Sequence, residues 1–153
     1  MSQKDLHRFL QAQNNGAPSV FDSALEELAS GRKIGHWIWF VLPQLRGLGH
    51  SAMAERYGIA DLAEAQAYLA DPQLHQRLEH VIGVITEQLR QPGQSLQTLM
   101  GGELDAIKTI SSLTLFEAAG LTAAQHLLDR IGRRCSLTQA RLDLDTRSST
   151  AMS

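Results

Sequence analysis

Apolar positions recur three and four residues apart along most of the chain, the period of a helix with one buried face. Leu6, Phe9, Leu10 and Gln13 follow that spacing behind Ser2, with Asp5 completing a capping-box pattern, which predicts a first helix near 2–14 stopped by Asn14-Asn15-Gly16. Ser19 is placed to cap a second, with Asp22 three residues on, Val20, Phe21, Ala24, Leu25 and Leu28 on one face, and Gly31 at its end. Asp61 with Glu64 starts another, carrying Leu62, Ala65, Tyr68 and Leu69. Asp71-Pro72 is the clearest start signal, an N-cap followed by proline at the first helical position. Leu74, Leu78, Val81, Ile82, Ile85 and Leu89 extend that helix to Pro92-Gly93. Ser95 opens a short turn with Leu96, Leu99 and Met100, broken by Gly101-Gly102, and helices follow at 103–118 and 122–131, the second capped by Thr122 and ended by Gly132.

One stretch departs from this period. His36 to Ser51, HWIWFVLPQLRGLGHS, holds both tryptophans, and Trp37, Ile38, Trp39, Phe40, Val41 and Leu42 are apolar on every face. Such a segment is buried all round or lines a pocket. Helical surroundings favour a helix that Pro43 ends, then a loop at Arg46-Gly47-Leu48-Gly49 and a short helix from Ser51 through Tyr57, closed by Gly58. The sum is an all-α fold, a single compact domain of six to eight helices spanning residues 1–140, with a polar, flexible tail over 141–153.

A chain of 153 residues suits one domain that buries roughly 68–70% of its unfolded surface, so no staple is needed. Its single cysteine, Cys135, excludes an internal disulfide or a cysteine-built metal site and points to a reducing, cytoplasmic setting. The start MSQKDLHRFLQ has no leader pattern, and no apolar run approaches the length of a membrane span. A formal charge of −2 gives no general attraction to nucleic acid or membrane, so any anion site must be local.

The loop at Arg46, Gly47 and Gly49, leading into a helix start at Ser51, offers such a site: glycines let backbone N–H groups approach a ligand, and Arg46 supplies a fork for phosphate or carboxylate. Its Gly-Leu-Gly is neither a Walker loop nor a dinucleotide fingerprint, so no cofactor is implied, and it equally suits a plain turn. His36, Trp37, Trp39 and Gln44 combine a titratable ring, flat apolar faces and an amide that reads donor and acceptor edges, equipment for holding a base-like ring. Both tryptophans also suit the core. Asp105 and Lys108 share a helix face, either as a surface ion pair or, given the apolar and hydroxylated run Thr109 to Phe116, as a lysine able to attack a carbonyl or sugar aldehyde. The histidines show no HxxxH or HExxH spacing, so no metal site is expected.

On these residues the chain resembles the domain of unknown function 1810 family, sometimes labelled calpastatin-like. The matching pieces are Leu6-His-Arg-Phe9, Ala24-Leu-Glu-Glu-Leu28, Gly31-Arg-Lys33, the whole of His36 to Gln44, Gly47 to Ser51, Tyr57-Gly-Ile59, Asp105-Ala-Ile-Lys108 and Ser112 to Phe116. The resemblance implies a helical fold and leaves activity open. An extended protease inhibitor would be polar and disordered, which an apolar core of this size contradicts. After Leu128 the family pattern is replaced by Arg130-Ile-Gly-Arg-Arg-Cys-Ser136.

Tryptophan-rich, Glu-Ala and Asp-x-x-Lys elements are also similar to the NADAR superfamily, which implies cleavage of an N-glycosidic bond on an ADP-ribosyl or ribosylated substrate. On that similarity Arg46, Gly47, Gly49 and Ser51 would hold phosphate, and Trp37, Trp39 and Gln44 the base. Glu64 or Asp105 would be general acid or base, with Lys108 as covalent nucleophile. Three classes therefore stand: a hydrolase of nucleotide- or ADP-ribose-like substrates, a non-catalytic module that binds such a ligand, and an interaction protein presenting Trp37, Trp39 and Phe40 to a partner.

Overall fold

Side-chain oxygens at helix starts set much of the architecture. Asp71 Oδ1 accepts the N–H groups of Gln73 and Leu74, each at 3.0 Å, and Ser19 and Ser51 accept those of Asp22 and Ala54 at 3.1 Å. The computed structural model describes residues 5–152 and gives the order α1 His7–Asn14, α2 Val20–Ala29, α3 Ile38–Val41, α4 Ala52–Tyr57, α5 Leu62–Ala70, α6 Pro72–Leu89, α7 Leu96–Met100, α8 Glu103–Ala118, α9 Thr122–Ile131 and α10 Ser136–Met152. The fold is all-α, and the described residues hold no strand beyond a single parallel bridge between Leu45 and Ile59. Ser2, the expected first cap, lies outside the described residues, and α1 begins behind Leu6 without a side-chain cap. Thr122 is the first residue of α9 rather than its cap, a position held by Leu121.

The long helix α8 runs through the middle. From Thr109 to Phe116 every residue is buried, because α9, α7, α5, α3 and α10 pack around it. Three of its buried hydroxyls are reconciled with burial locally: Thr109 and Thr114 donate to the carbonyls of Asp105 and Ile110, and Ser111 Oγ lies 3.0 Å from Thr138 Oγ1 of α10, whereas Ser112 Oγ has no partner among the described residues. Phe9, Tyr68 and Phe116 meet edge to face or tilted, with centroids 5.2 and 5.0 Å apart. Gln13 ties this aromatic layer to the central segment, donating to Phe40 O at 2.8 Å and accepting from Arg77 at 3.0 Å.

The central segment is helical for four residues only. After Pro43 the chain is extended, and Ile59 N–H donates to Gln44 O at 2.8 Å while Arg46 N–H donates to Ile59 O at 2.7 Å. Gly58 allows that approach, since a Cβ there would stand 2.6 Å from Ala54 O. Helix α10 carries the chain through the polar stretch from Arg141, and Leu142 on it is buried.

Candidate functional site

The turn from α3 into the bridge, the end of α4, the first half of α8 and the first turn of α10 enclose a cleft of about 210 Å³. Trp39, Gln44, Gly49, Lys108, Ser111 and Cys135 line it. At its edge stand Leu104, Ile107 and Leu137, which are 75%, 43% and 67% exposed. These large aliphatic side chains form an exposed apolar rim around the concavity.

Polar groups in this apolar cleft are few and specifically held. Lys108 Nζ sits 4.3 Å above the Trp39 ring centroid and 3.5 Å from Asp105 Oδ1. Asp105 is not free to neutralise it, because its Oδ2 lies 2.7 Å from Nζ of the buried Lys33. Lys33 Nζ also donates to Gly35 O and lies 5.1 Å from the Trp37 ring centroid. Two ammonium groups thus share the Asp105 carboxylate, each over a tryptophan ring, and the Glu27 carboxylate also lies within electrostatic reach of Lys33. The Gln44 side-chain amide makes no hydrogen bond to the described residues, although its backbone is fixed by Ile59.

The expected site residues separate into groups. Trp39, Gln44, Gly49 and Lys108 converge on the cleft, with Asp105 behind Lys108. Trp37 is buried, and its Nε1–H donates to Glu27 Oε1 at 2.9 Å. His36 is exposed in a separate shallow groove beside Trp37, Phe40 and Glu27. Glu64 is buried, accepting from Ala60 N–H at 2.7 Å and from Arg8 at 3.2 Å, so it fastens α5 to α1. Ser51 Oγ is engaged in capping α4. Arg46 and Gly47 form a turn after the cleft-lining Leu45, and Arg46 Nε has no hydrogen-bond partner among the described residues.

Three features were absent from the sequence expectations: the burial of Lys33, the cleft wall built by Cys135 and Leu137, and the role of Glu27. Glu27 is buried enough to push its carboxyl up, yet N–H donors from Gly35, Ile34 and Trp37, with the Lys33 charge, hold it below the ordinary value. Burial keeps the Tyr68 phenol well above its ordinary value and therefore neutral. Cys135 Sγ accepts from Thr138 N–H at 3.4 Å at the start of α10. Among the described residues no three His, Cys, Asp or Glu side chains are grouped to hold a metal ion, and no helix is long and apolar enough to cross a membrane.

A sequence model of the family described as "Protein of unknown function (DUF1810)" matches residues 3–142. No curated protein matches the chain. Among solved structures, the chain is similar to the conserved hypothetical protein Rv1873 from Mycobacterium tuberculosis, with 45% identity, a TM-score of 0.79, and coverage of 91% of this chain and 96% of that one.

Proposed function

We propose, from the premise that the chain belongs to the family of proteins of unknown function DUF1810, that it is a binding module for a flat, ring-bearing metabolite of the nucleotide class. The observation that carries this reading is Lys108, an ammonium over Trp39 that shares its carboxylate with the closer Lys33, facing an apolar cleft in which the Gln44 amide has no partner among the described residues. Apolar walls with a few convergent polar groups are what small-molecule sites are made of. A volume of about 210 Å³ lies below the roughly 300–1,000 Å³ of drug-sized sites, so it suits one or two fused rings rather than a whole ADP-ribose.

Binding is favoured over N-glycosidic hydrolysis by how the acid and base candidates are used. Glu64 is committed to Arg8 and Ala60, and His36 faces another groove. Lys108 makes two contacts, an ion pair and a cation–π contact, that an ammonium makes and a neutral amine nucleophile does not.

The test is a thermal-shift series with adenine, nicotinamide, adenosine, AMP and ADP-ribose, in which a ligand at about 100 times its dissociation constant adds roughly 2.7 kcal/mol. A ring ligand raises the midpoint of the parent protein, and the rise disappears in Trp39→Ala and Lys108→Met. No rise with any of them overturns the reading. Release of free base on incubation would replace binding by turnover.

A further inference from the structure

The polar groups of the cleft are unequal in kind, and the inequality selects among ring ligands. Among the described residues no carboxylate lines the cleft, and Lys108 is its only charged side chain. An ammonium carries three N–H donors and no acceptor, and Asp105 takes one of the three at 3.5 Å. The Trp39 indole N–H is a second group that can only donate. Unlike the Trp37 N–H, which Glu27 accepts at 2.9 Å, it has no partner among the described residues.

Acceptors belonging to the same lining residues are already engaged. Gln44 O takes the Ile59 N–H at 2.8 Å, and Gly58 O takes Arg8 Nη2 at 2.9 Å. Ser111 Oγ is paired with Thr138 Oγ1 at 3.0 Å, and Cys135 Sγ receives the Thr138 N–H at 3.4 Å. The Gln44 amide and the Tyr57 hydroxyl can donate or accept, so they suit either kind of ligand. Lys108 and Trp39 cannot change role. A ligand that seals the cleft takes their donors out of water, and each donor left unmatched carries the full cost of desolvation. An acceptor on the ligand removes that cost, whereas an amino group in the same place sets donor against donor.

We propose that the cleft's ligand is an oxo-substituted ring, with carbonyl oxygens beside a ring N–H, and that the cleft discriminates against the corresponding amino-substituted ring. The inference rests on the ring-binding reading and narrows it to a substrate class. The fixed donors of Lys108 and Trp39 take the ring's oxygens, and Gln44, able to present its amide either way round, takes the edge that faces it.

Two pairs of bases differ by this exchange, hypoxanthine against adenine and uracil against cytosine. The experiment is a calorimetric titration of the full chain with all four, for the parent protein, Lys108→Met and Trp39→Phe. Lys108→Met keeps the apolar stem and removes the ammonium; Trp39→Phe keeps an aromatic face and removes the N–H. Far-ultraviolet circular dichroism checks that each variant is folded. The oxo member of each pair is expected to bind the parent about tenfold tighter than the amino member, and that ratio falls by at least about threefold in one variant or both. A ratio below about threefold for either pair in the parent overturns the oxo selection while leaving the ring site standing. So does a ratio that falls in neither variant, since the two donors are then not its source. Absence of binding by all four bases removes the ring site and the selection together.

Discussion

Lys33 Nζ stands 2.7 Å from Asp105 Oδ2, while Lys108 approaches the other oxygen of that carboxylate at 3.5 Å. A buried lysine therefore decides how much charge a cleft-lining lysine presents. Removing Asp105 leaves the Lys33 ammonium, 5% exposed, without its ion-pair partner and with only the Glu27 charge nearby, whereas removing Lys33 leaves Asp105 the company of Lys108. Asp105→Asn is expected to cost about 3 kcal/mol, and Lys33→Met less, about 1–2 kcal/mol. Urea denaturation midpoints check the order, and the reverse order would show that Asp105 serves Lys108 first.

Glu64→Gln separates a fastener from a catalyst. The substitution removes the charge facing Arg8 and weakens the acceptor for Ala60 N–H, for an expected loss of about 1–3 kcal/mol. Affinity of the cleft for its ring ligand should not change. A large loss of ligand affinity at unaltered stability would return Glu64 to the site.

The two tryptophans should behave oppositely. Trp37 is 2% exposed and bonded to Glu27, so Trp37→Ala costs about 3–5 kcal/mol and lowers the melting temperature by about 10 °C or more. Trp39 is half-buried under Lys108, so Trp39→Ala costs about 1–2 kcal/mol and removes the ligand response. Melting curves of both variants, with and without adenosine, test the contrast.

Glu27 predicts an acid sensitivity. Its folded carboxyl lies below the ordinary value of 4.5 despite burial, because Gly35, Ile34 and Trp37 donate to it and Lys33 is near. The stability it lends is complete above the unfolded carboxylate range and is lost as pH falls through the lower folded value. The difference in melting temperature between parent and Glu27→Gln should therefore narrow progressively below about pH 4.5. A difference that is constant from pH 7 to 3 would show that this carboxyl is not depressed.

Helices with strong local signals were legible in the chain because their determinants are local. Asp71-Pro72 and the apolar positions to Leu89 reappear as α6, and residues 103–118 and 122–131 as α8 and α9. The bridge between Leu45 and Ile59 was not legible, since it depends on residues fourteen apart meeting after Pro43 breaks the helix. Lys33 reads as a solvated lysine after Gly31; only its distance to Asp105, far along the chain, gives the reason for its burial. Trp37 and Trp39 are indistinguishable by pattern, and a turn of helix sends one to Glu27 and the other to Lys108. The far wall of the cleft was hidden because α10 reaches the core mainly through Thr138 and Leu142, too few apolar positions to show a period.

Because Cys135 is the sole thiol of the sequence and lines the cleft, the molecule arrives with its own attachment point. An environment-sensitive dye joined to that sulfur through a short maleimide would report from the wall of the cleft without any prior engineering of the chain. If the cleft takes the proposed ring ligand, the dye's emission would change as the ligand enters, which would make the protein a reporter for screening extracts.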